Sequence, residues 1–264
     1  YYILDSIFKF AFSDLAIDPL GIALIHTIFN VATTILLFPF IKQLEKLAIK
    51  TVKDKPSDIK GVFLDERLLA TPSLAVSECR NYTAEMAKIA AQTLNDSISL
   101  LDTYSHKLAD KIKEDEQKLD DYEDKLGTFL VKISSQKLTD NDSNTVSTLL
   151  HTIGDFERIG DHALNIVKVA KEISDKDISF SQQAKNELKI ATEAIKEILS
   201  ITVQSFTDND AQRALDVEPL EQVVDVLIAK TKSNHISRLQ AGSCTIELGF
   251  ILSDILNNYS RVSD

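Results

Sequence analysis

The stretch that decides the fold reads His151-Thr-Ile-Gly-Asp-Phe-Glu-Arg-Ile-Gly-Asp-His-Ala-Leu-Asn-Ile166. Its apolar residues recur at helical spacing, so the pattern predicts a helix that buries one face and carries acidic groups on another. Glu157 and Asp161 are four residues apart and therefore stand one turn above each other on the same side. Like charges at this spacing repel. The pair is therefore either a solvated acidic face or a site that attracts a cation or a basic partner.

The composition around this stretch is that of a helical protein. The 264 residues are 44% hydrophobic and include only 7 Gly and 5 Pro, which is typical of long helices around a packed core. No stretch alternates with period two, so the predicted fold class is all-α. The net charge of −11 argues against nucleic-acid binding and favours cations or basic partners. The two cysteines form no CxxC motif and are predicted to be reduced thiols in the cytosol.

Residues 19–41 contain no charged side chain and predict a transmembrane helix. As a helix the segment is about 34 Å long, enough to cross a bilayer core of about 30 Å. The alternative is a buried core helix, because several polar residues dilute the apolar run. If the segment spans a membrane, His26, Thr27 and Asn30 share one face and are expected to line a transport pathway or to face partner helices.

The residues that follow set the predicted orientation. Five lysines come directly after the span, at Lys42, Lys46, Lys50, Lys53 and Lys55. Basic residues mark the cytoplasmic end of a span, so the chain from about residue 42 onward is predicted to be cytoplasmic, with the span in the inner (plasma) membrane. The chain begins at Tyr1 rather than at Met, so we expect a fragment whose beginning lies upstream.

The remaining sequence predicts a linker and then helices almost throughout. Residues 1–50 are assigned to the end of a membrane domain, 51–71 to the linker, 72–175 to a first helical unit and 176–264 to a second. The predicted helices lie near 72–101, 103–135, 140–175, 180–207, 211–240 and 243–264.

An internal repeat links the acidic stretch to other parts of the chain. The pattern Glu-x-x-x-Asp occurs three times, at Glu116–Asp120, Glu157–Asp161 and Glu221–Asp225. The closing segment 258–264 reads like 155–161 with substitutions, so the chain resembles two copies of a three-helix unit. Antiparallel neighbours could bring the first two pairs together. Four carboxylates at one place repel unless they are protonated or bind a metal, and hard oxygen donors favour Mg²⁺, Ca²⁺, Mn²⁺ or iron.

The stretch Asp-Phe-Glu-Arg-Ile-Gly-Asp-His-Ala-Leu-Asn-Ile at 155–166 resembles the signature of PhoU domains. The resemblance implies a domain of two three-helix bundles whose Glu/Asp-x-x-x-Asp motifs bind divalent or trivalent metal ions, such as iron, Mn or Mg. The second unit departs from the pattern, because Ser260 stands where Glu157 stands in the first, and its last helix is expected to be truncated. The metal ligands that the resemblance implies are Glu116, Asp120, Glu157 and Asp161 in the first unit and Glu221, Asp225 and Asp264 in the second.

A second resemblance concerns the apolar segment. Gly-Ile-Ala-Leu-Ile-His-Thr-Ile-Phe-Asn-Val at 21–31 is similar to the last membrane helix of bacterial sodium/phosphate cotransporters, and 64–72 resembles the junction that precedes their PhoU-like domain. The resemblance implies the C-terminal part of a sodium-dependent phosphate symporter, with inorganic phosphate and sodium as its small-molecule partners, sodium being the coupling ion. The alternative is a membrane-tethered adaptor that regulates another transporter or a sensor kinase. The oligomeric state stays open, with a homo-oligomer as one expectation.

No catalytic motif is found. None of the five histidines follows a glutamate by three residues, as the helix motif of di-iron carboxylate enzymes requires. The sequence also has no nucleophile elbow, Walker loop or HExxH motif, so we expect a protein that is not an enzyme.

Overall fold

The computed structural model describes residues 19–40, 43 and 64–264. Within these residues every regular element is helical, which confirms the all-α fold class. The chain divides into two units, Tyr1–Asp58 and Ile59–Asp264. The predicted orientation rests on five lysines that lie outside the described residues: Lys42, Lys46, Lys50, Lys53 and Lys55.

The first unit contains helix α1, Pro19–Leu37, which continues into the 3-10 helix Phe38–Phe40. Proline at the first helical position leaves no backbone donor unsatisfied there. Between Ala23 and Phe40 the helix is long and apolar enough to cross a membrane, and none of its side chains in that window is buried. Phe29 and Ile35, for example, are 65% and 69% exposed. The alternative of a buried core helix therefore finds no support in the burial of these side chains.

The polar residues of α1 satisfy one another within the helix. The Asn30 side-chain amide lies 3.0 Å from the Nδ1 atom of His26, one turn away. The Thr27 hydroxyl donates to the Ala23 carbonyl at 2.8 Å, a bond that relieves the cost of a hydroxyl in an apolar environment. The three residues predicted to line a transport pathway thus have partners inside their own helix, and the pathway itself stays a prediction.

The second unit is built from long helices with short connections. Its helices are α2 (Pro72–Ser99), α3 (His106–Ser134), α4 (Asp140–Asp175), α5 (Gln182–Asp208), the short α6 (Ala211–Ala214), α7 (Val217–Gln240) and α8 (Ile246–Ser263). Helices α2, α3 and α4 pack together as one three-helix bundle, and α5, α7 and α8 form a second. Contacts of α4 with α8 and of α2 with α5 join the two bundles.

Two apolar clusters hold these bundles. One lies among helices α2, α3 and α4 and contains Met86, Leu126 and Ile153, which are almost fully buried. The other joins the far ends of α2–α4 to the second bundle through residues such as Ile166 and Tyr259. Ser or Thr side chains start four of the helices by accepting a backbone N–H in the first turn, which fixes where each helix begins.

One expectation about the elements was wrong. The predicted helix over 211–240 is interrupted at Leu215 and Asp216. Pro219 explains the break, because proline cannot donate to the carbonyl four residues earlier and its ring clashes with that carbonyl. A helix can therefore restart only within the turn before it. Within the predicted linker 51–71, Glu66–Ala70 forms a 3-10 helix capped by Asp65, and the extent of the linker stays a prediction.

Candidate functional site

The acidic residues of α3 and α4 meet at the middle of the first bundle. Asp120 of α3 and Glu157 and Asp161 of α4 line one shallow depression of about 370 Å³, together with Glu123 and Asp124. Helix α3 runs antiparallel to α4, so residues on facing turns come side by side as the sequence predicts. We call these residues together with Glu116 the acidic cluster.

The electrostatics show that these carboxylates repel one another. Burial, followed by the charges of Asp161 and Asp120, raises the pKa of Glu157 to about 7. Burial also raises the pKa of Glu116, and the nearby charges of Asp120 and Asp161 add to the rise. The pKa of Asp120 is raised by burial and then by Asp161. A proton or another cation is therefore favoured at this place.

Basic side chains offset only part of this repulsion: the charge of Lys168 lowers the pKa of Glu116, against the rise from burial and from the charges of Asp120 and Asp161. Among the described residues, no Lys, Arg or His lies within 4.0 Å of the carboxylates of Glu116, Asp120, Glu157 or Asp161. The positive charges nearby pair instead with other carboxylates. Lys118 lies 2.5 Å from Asp115, and Arg158 lies 3.7 Å from Asp155.

Gly160 explains why the two helices come so close. A Cβ atom built on this residue would lie 2.6 Å from the Cδ1 atom of Leu119 and 3.8 Å from the Cγ atom of Glu116. Leu119 is fully buried. The missing side chain therefore lets α3 approach α4 at the level of the acidic cluster. Gly160 lies between Glu157 and Asp161 in sequence, so both acidic residues share the close approach.

The donor chemistry of the cluster fits a hard metal ion, because carboxylate oxygens are the ligands that such ions prefer. As the side chains stand, however, no three His, Cys, Asp or Glu residues in the described part of the chain converge on one point where an ion could be held. Since the four predicted ligands sit on facing helix surfaces, binding would require their side chains to turn inward. The assignment of these four carboxylates as metal ligands stays a prediction.

The second predicted site is arranged differently. Asp225 is exposed on α7. Asp264, which follows the last residue of α8, lies 3.6 Å from Arg261 and lines a cavity of about 430 Å³ whose lining includes neither Glu221 nor Asp225. The proposed ligands Glu221, Asp225 and Asp264 are therefore not shown in one place, and their assignment stays a prediction.

Several residues of the site were missed by the sequence reasoning. Glu123 and Asp124 extend the cluster along α3, and the density of acidic residues at 120–124, four of five positions, could have indicated them. Gly160 was also missed, although a lone glycine inside a helix usually marks a close approach. His162, whose Nδ1 atom lies 2.9 Å from Asn258 Oδ1, links α4 to α8. No local pattern signals a contact between residues so far apart in sequence.

Comparison with known proteins identifies the domain. Residues 83–170 match the PhoU domain family. The phosphate-specific transport system accessory protein PhoU homolog of Borreliella burgdorferi is 28% identical over 168 residues, covering 61% of this chain and 74% of the relative. PhoU homolog 1 of Thermotoga maritima is 24% identical over 182 residues, covering 69% of this chain and 78% of the relative.

Solved structures agree on the fold. PhoU from Pseudomonas aeruginosa superposes with a TM-score of 0.66 at 17% identity, over 74% of this chain and 92% of that one. The phosphate transport system regulatory protein PhoU from Streptococcus pneumoniae gives a TM-score of 0.65 at 14% identity, over 73% and 90%. The chain therefore contains a PhoU-like domain, as the signature at 155–166 indicates. The resemblance of the apolar segment to sodium/phosphate cotransporters stays a prediction.

Proposed function

We propose that this chain is the C-terminal portion of a phosphate uptake protein of the inner membrane, in which α1 spans the bilayer and the PhoU-like domain regulates uptake from the cytoplasm. One observation carries the proposal: an exposed apolar helix long enough to cross a membrane precedes a PhoU-like domain in the same chain. The relatives named above are accessory proteins of phosphate-specific transport, which supports a regulatory role rather than an enzymatic one.

The finer form of the proposal is a sodium-dependent phosphate symporter, with sodium as the coupling ion and inorganic phosphate as the substrate. It rests on the resemblance of residues 21–31 to the last membrane helix of such proteins and on the polar residues of α1. In a membrane, polar side chains at this depth usually face other protein or water. The remaining membrane helices of the symporter would then come from sequence before Tyr1.

A second candidate is the membrane-tethered adaptor, and one observation favours it. His26, Thr27 and Asn30 are hydrogen-bonded within α1, so the helix can sit in lipid without partner helices. In this form α1 would anchor the PhoU-like domain next to another phosphate transporter or a sensor kinase.

A measurement of phosphate uptake by the full-length protein distinguishes the symporter from the adaptor. The protein is reconstituted in liposomes, and phosphate entry is measured with an inward sodium gradient and with potassium in its place. The symporter predicts sodium-dependent entry. The adaptor predicts none, together with a change in uptake when the protein is coexpressed with its transporter. If phosphate uptake by cells is the same with and without the gene, both forms are wrong.

We further propose that the acidic cluster binds one or more metal ions. Glu116 and Asp120 from α3 and Glu157 and Asp161 from α4 would hold it through carboxylate oxygens. When bound, the metal supplies positive charge that neutralises the repelling carboxylates. The two helices carry the ligands in pairs, so occupancy would be linked to how tightly α3 and α4 are held together. The high pKa of Glu157 and the lack of basic partners support this proposal.

Elemental analysis of the purified protein tests the metal site. The variant Glu157→Ala/Asp161→Ala is expected to lose most of the iron, manganese or magnesium that the wild type carries. A matched control is Glu221→Ala/Asp225→Ala, which removes the same pattern from α7. We expect it to keep most of the metal, because the second set lacks one carboxylate. Equal metal content in all three proteins would contradict the assignment.

A further inference from the structure

A second cavity lies away from the acidic cluster, between the end of α2, the last turns of α4 and helix α5. Its volume is about 540 Å³, which is within the range of small-molecule sites. Ile173 of α4 is part of its lining and lies twelve residues beyond Asp161. At about 1.5 Å per residue this is roughly 18 Å along the helix, so the cavity and the acidic cluster are separate.

Three lysines of α5 line one side of this cavity, at positions 185, 189 and 196. They are four and eleven residues apart, which are close to whole numbers of turns, so they form one stripe along the helix. Like charges in such a stripe repel one another. The acidic residues in the lining are Asp102 and Glu193, so the cavity is positive in a chain whose net charge is −11.

These lysines have no ionic partner in the described part of the chain. None of them lies within 4.0 Å of a carboxylate, although Glu193 is one turn from Lys189 and nearly one turn from Lys196. In another groove, lined by Lys125 and Lys132, both lysines are paired: Lys125 lies 4.0 Å from Asp121, and Lys132 lies 2.6 Å from Glu66. Three unpaired ammonium groups beside one cavity are suited to an anion with several negative charges.

The rest of the lining is partly polar, through Ser99, Gln182, Asn186 and Thr192, and partly apolar. Ile98 is buried and Leu101, Phe180 and Leu188 are partly buried. We call these four side chains the apolar floor of the cavity, beside the positive wall formed by the three lysines. Inorganic phosphate would contact only the lysines of the wall. An organic phosphate with a flat ring would use both, because the ring can pack on Phe180 and the aliphatic side chains while the phosphates reach the lysines.

We propose that this cavity binds a small organic phosphate of the nucleoside phosphate class. The phosphates lie against Lys185, Lys189 and Lys196, and the base lies on the apolar floor. Asp102 and Glu193 limit the affinity, because they share the rim with the bound anion. The ligand would connect the second bundle of the PhoU-like domain to the nucleotide state of the cell. The proposal does not depend on the metal site or on the transport function.

Equilibrium dialysis of the full chain with ATP, AMP, adenosine and inorganic phosphate tests the proposal. We expect ATP to bind more tightly than AMP, and adenosine and inorganic phosphate to bind weakly. The variant Lys185→Gln/Lys189→Gln/Lys196→Gln should weaken ATP binding at least tenfold, and Asp102→Asn should strengthen it. The control Lys107→Gln/Lys137→Gln/Lys230→Gln removes the same charge from exposed lysines elsewhere and should change the affinity less than threefold.

Three results would overturn the proposal. They are no binding of ATP to the wild type, an equal loss in the two triple variants, and inorganic phosphate binding as tightly as ATP. The variant Glu157→Ala/Asp161→Ala should bind ATP normally. A failure of the metal site or of phosphate uptake is therefore distinguishable from a failure of this cavity.

Discussion

The two copies of the repeated stretch, 155–161 on α4 and 258–264 on α8, have similar sequences and different surroundings. In the first, Glu157 and Asp161 meet the acidic residues of α3 without any basic partner. In the second, Ser260 replaces the glutamate, and the remaining acid lies 3.6 Å from Arg261. The same pattern therefore gives a repelling cluster in one bundle and a neutral helix surface in the other.

Two small residues account for much of this difference. Gly160 lets α3 come within contact of α4, which brings the carboxylates together and partly buries them. The corresponding residue of the second copy, Ser263, has a side chain, and its hydroxyl donates to the Ser260 carbonyl at 2.9 Å. The comparison teaches that the pKa values of Glu157, Glu116 and Asp120 rise because the backbone lets two acidic motifs approach each other.

The largest effect on stability is expected from filling the space that Gly160 leaves between α3 and α4. Gly160→Val places methyl groups against the buried Leu119 side chain and should lower the free energy of unfolding by about 2 kcal/mol, a typical value for overpacking. Urea unfolding followed by circular dichroism measures it. Separation of α3 from α4 should also return the pKa of Glu157 towards its ordinary range.

Gly154 provides the matched control for this substitution. It lies on the same helix, and a Cβ atom there would meet nothing within 4 Å. Valine has a somewhat higher helix propensity than glycine, so Gly154→Val should leave stability unchanged or raise it slightly. Equal destabilisation by the two substitutions would show that the close approach at Gly160 has no special role.

The next effect is a pH dependence that belongs to the first copy. The pKa of Glu157 is about 7 in the folded chain, above its ordinary value of 4.5. Between these values the folded chain keeps a proton that the unfolded chain releases, so stability falls as the pH rises from about 4.5 to about 7. Because the side chain is only partly buried, we reduce the expected loss for solvent screening to about 1–2 kcal/mol.

Urea unfolding in the presence of a chelator at pH 5 and pH 8 measures this loss. Glu157→Gln should flatten the dependence, while Glu221→Gln in the second half should not change it. If Glu157→Gln unfolds with the same pH dependence as the wild type, the high pKa assigned to this carboxyl is wrong. A divalent cation added at pH 8 should restore part of the lost stability, because it replaces the proton.

Much of the first copy could be predicted from sequence, because its signals are local. Helical periodicity placed α4, and the spacing of Glu157 and Asp161 put both on one side of it. The second acidic pair, Glu116 and Asp120, followed from the repeat and from the antiparallel order of consecutive helices. These inferences need only the geometry of a helix and short connections.

The rest depends on contacts between distant residues. Gly160 and Leu119 together determine how closely α3 approaches α4. Neither residue alone predicts that distance from the sequence. The break before Pro219 could have been predicted from the sequence, since proline disrupts a helix one turn earlier. The contact between His162 and Asn258 joins α4 of the first bundle to α8 of the second, and a single sequence contains no information on such a pairing.

That link gives a smaller test of how the two copies are joined. The Nδ1 atom of His162 and the Oδ1 atom of Asn258 are 2.9 Å apart. Asn258→Ala should lower the free energy of unfolding by about 1 kcal/mol, the usual value for one hydrogen bond. A double-mutant cycle with His162→Ala should give a coupling energy of about 0.5 kcal/mol or more. Additive effects would mean that the two side chains do not interact in solution.

Ser260→Glu should give the smallest change in stability. It is also the most direct way to remove the difference between the two copies. It restores the missing carboxylate one turn before Asp264, so without metal the like charges should lower stability by about 0.2–0.5 kcal/mol. With Mn²⁺ or iron present, the variant should carry more bound metal per chain than the wild type, measured by elemental analysis. Ser253→Glu, which adds the same charge elsewhere on α8, is the control and should leave the metal content unchanged. If Ser260→Glu also adds no metal, the missing carboxylate does not explain the difference, and the closer approach that Gly160 allows in the first bundle must carry it instead.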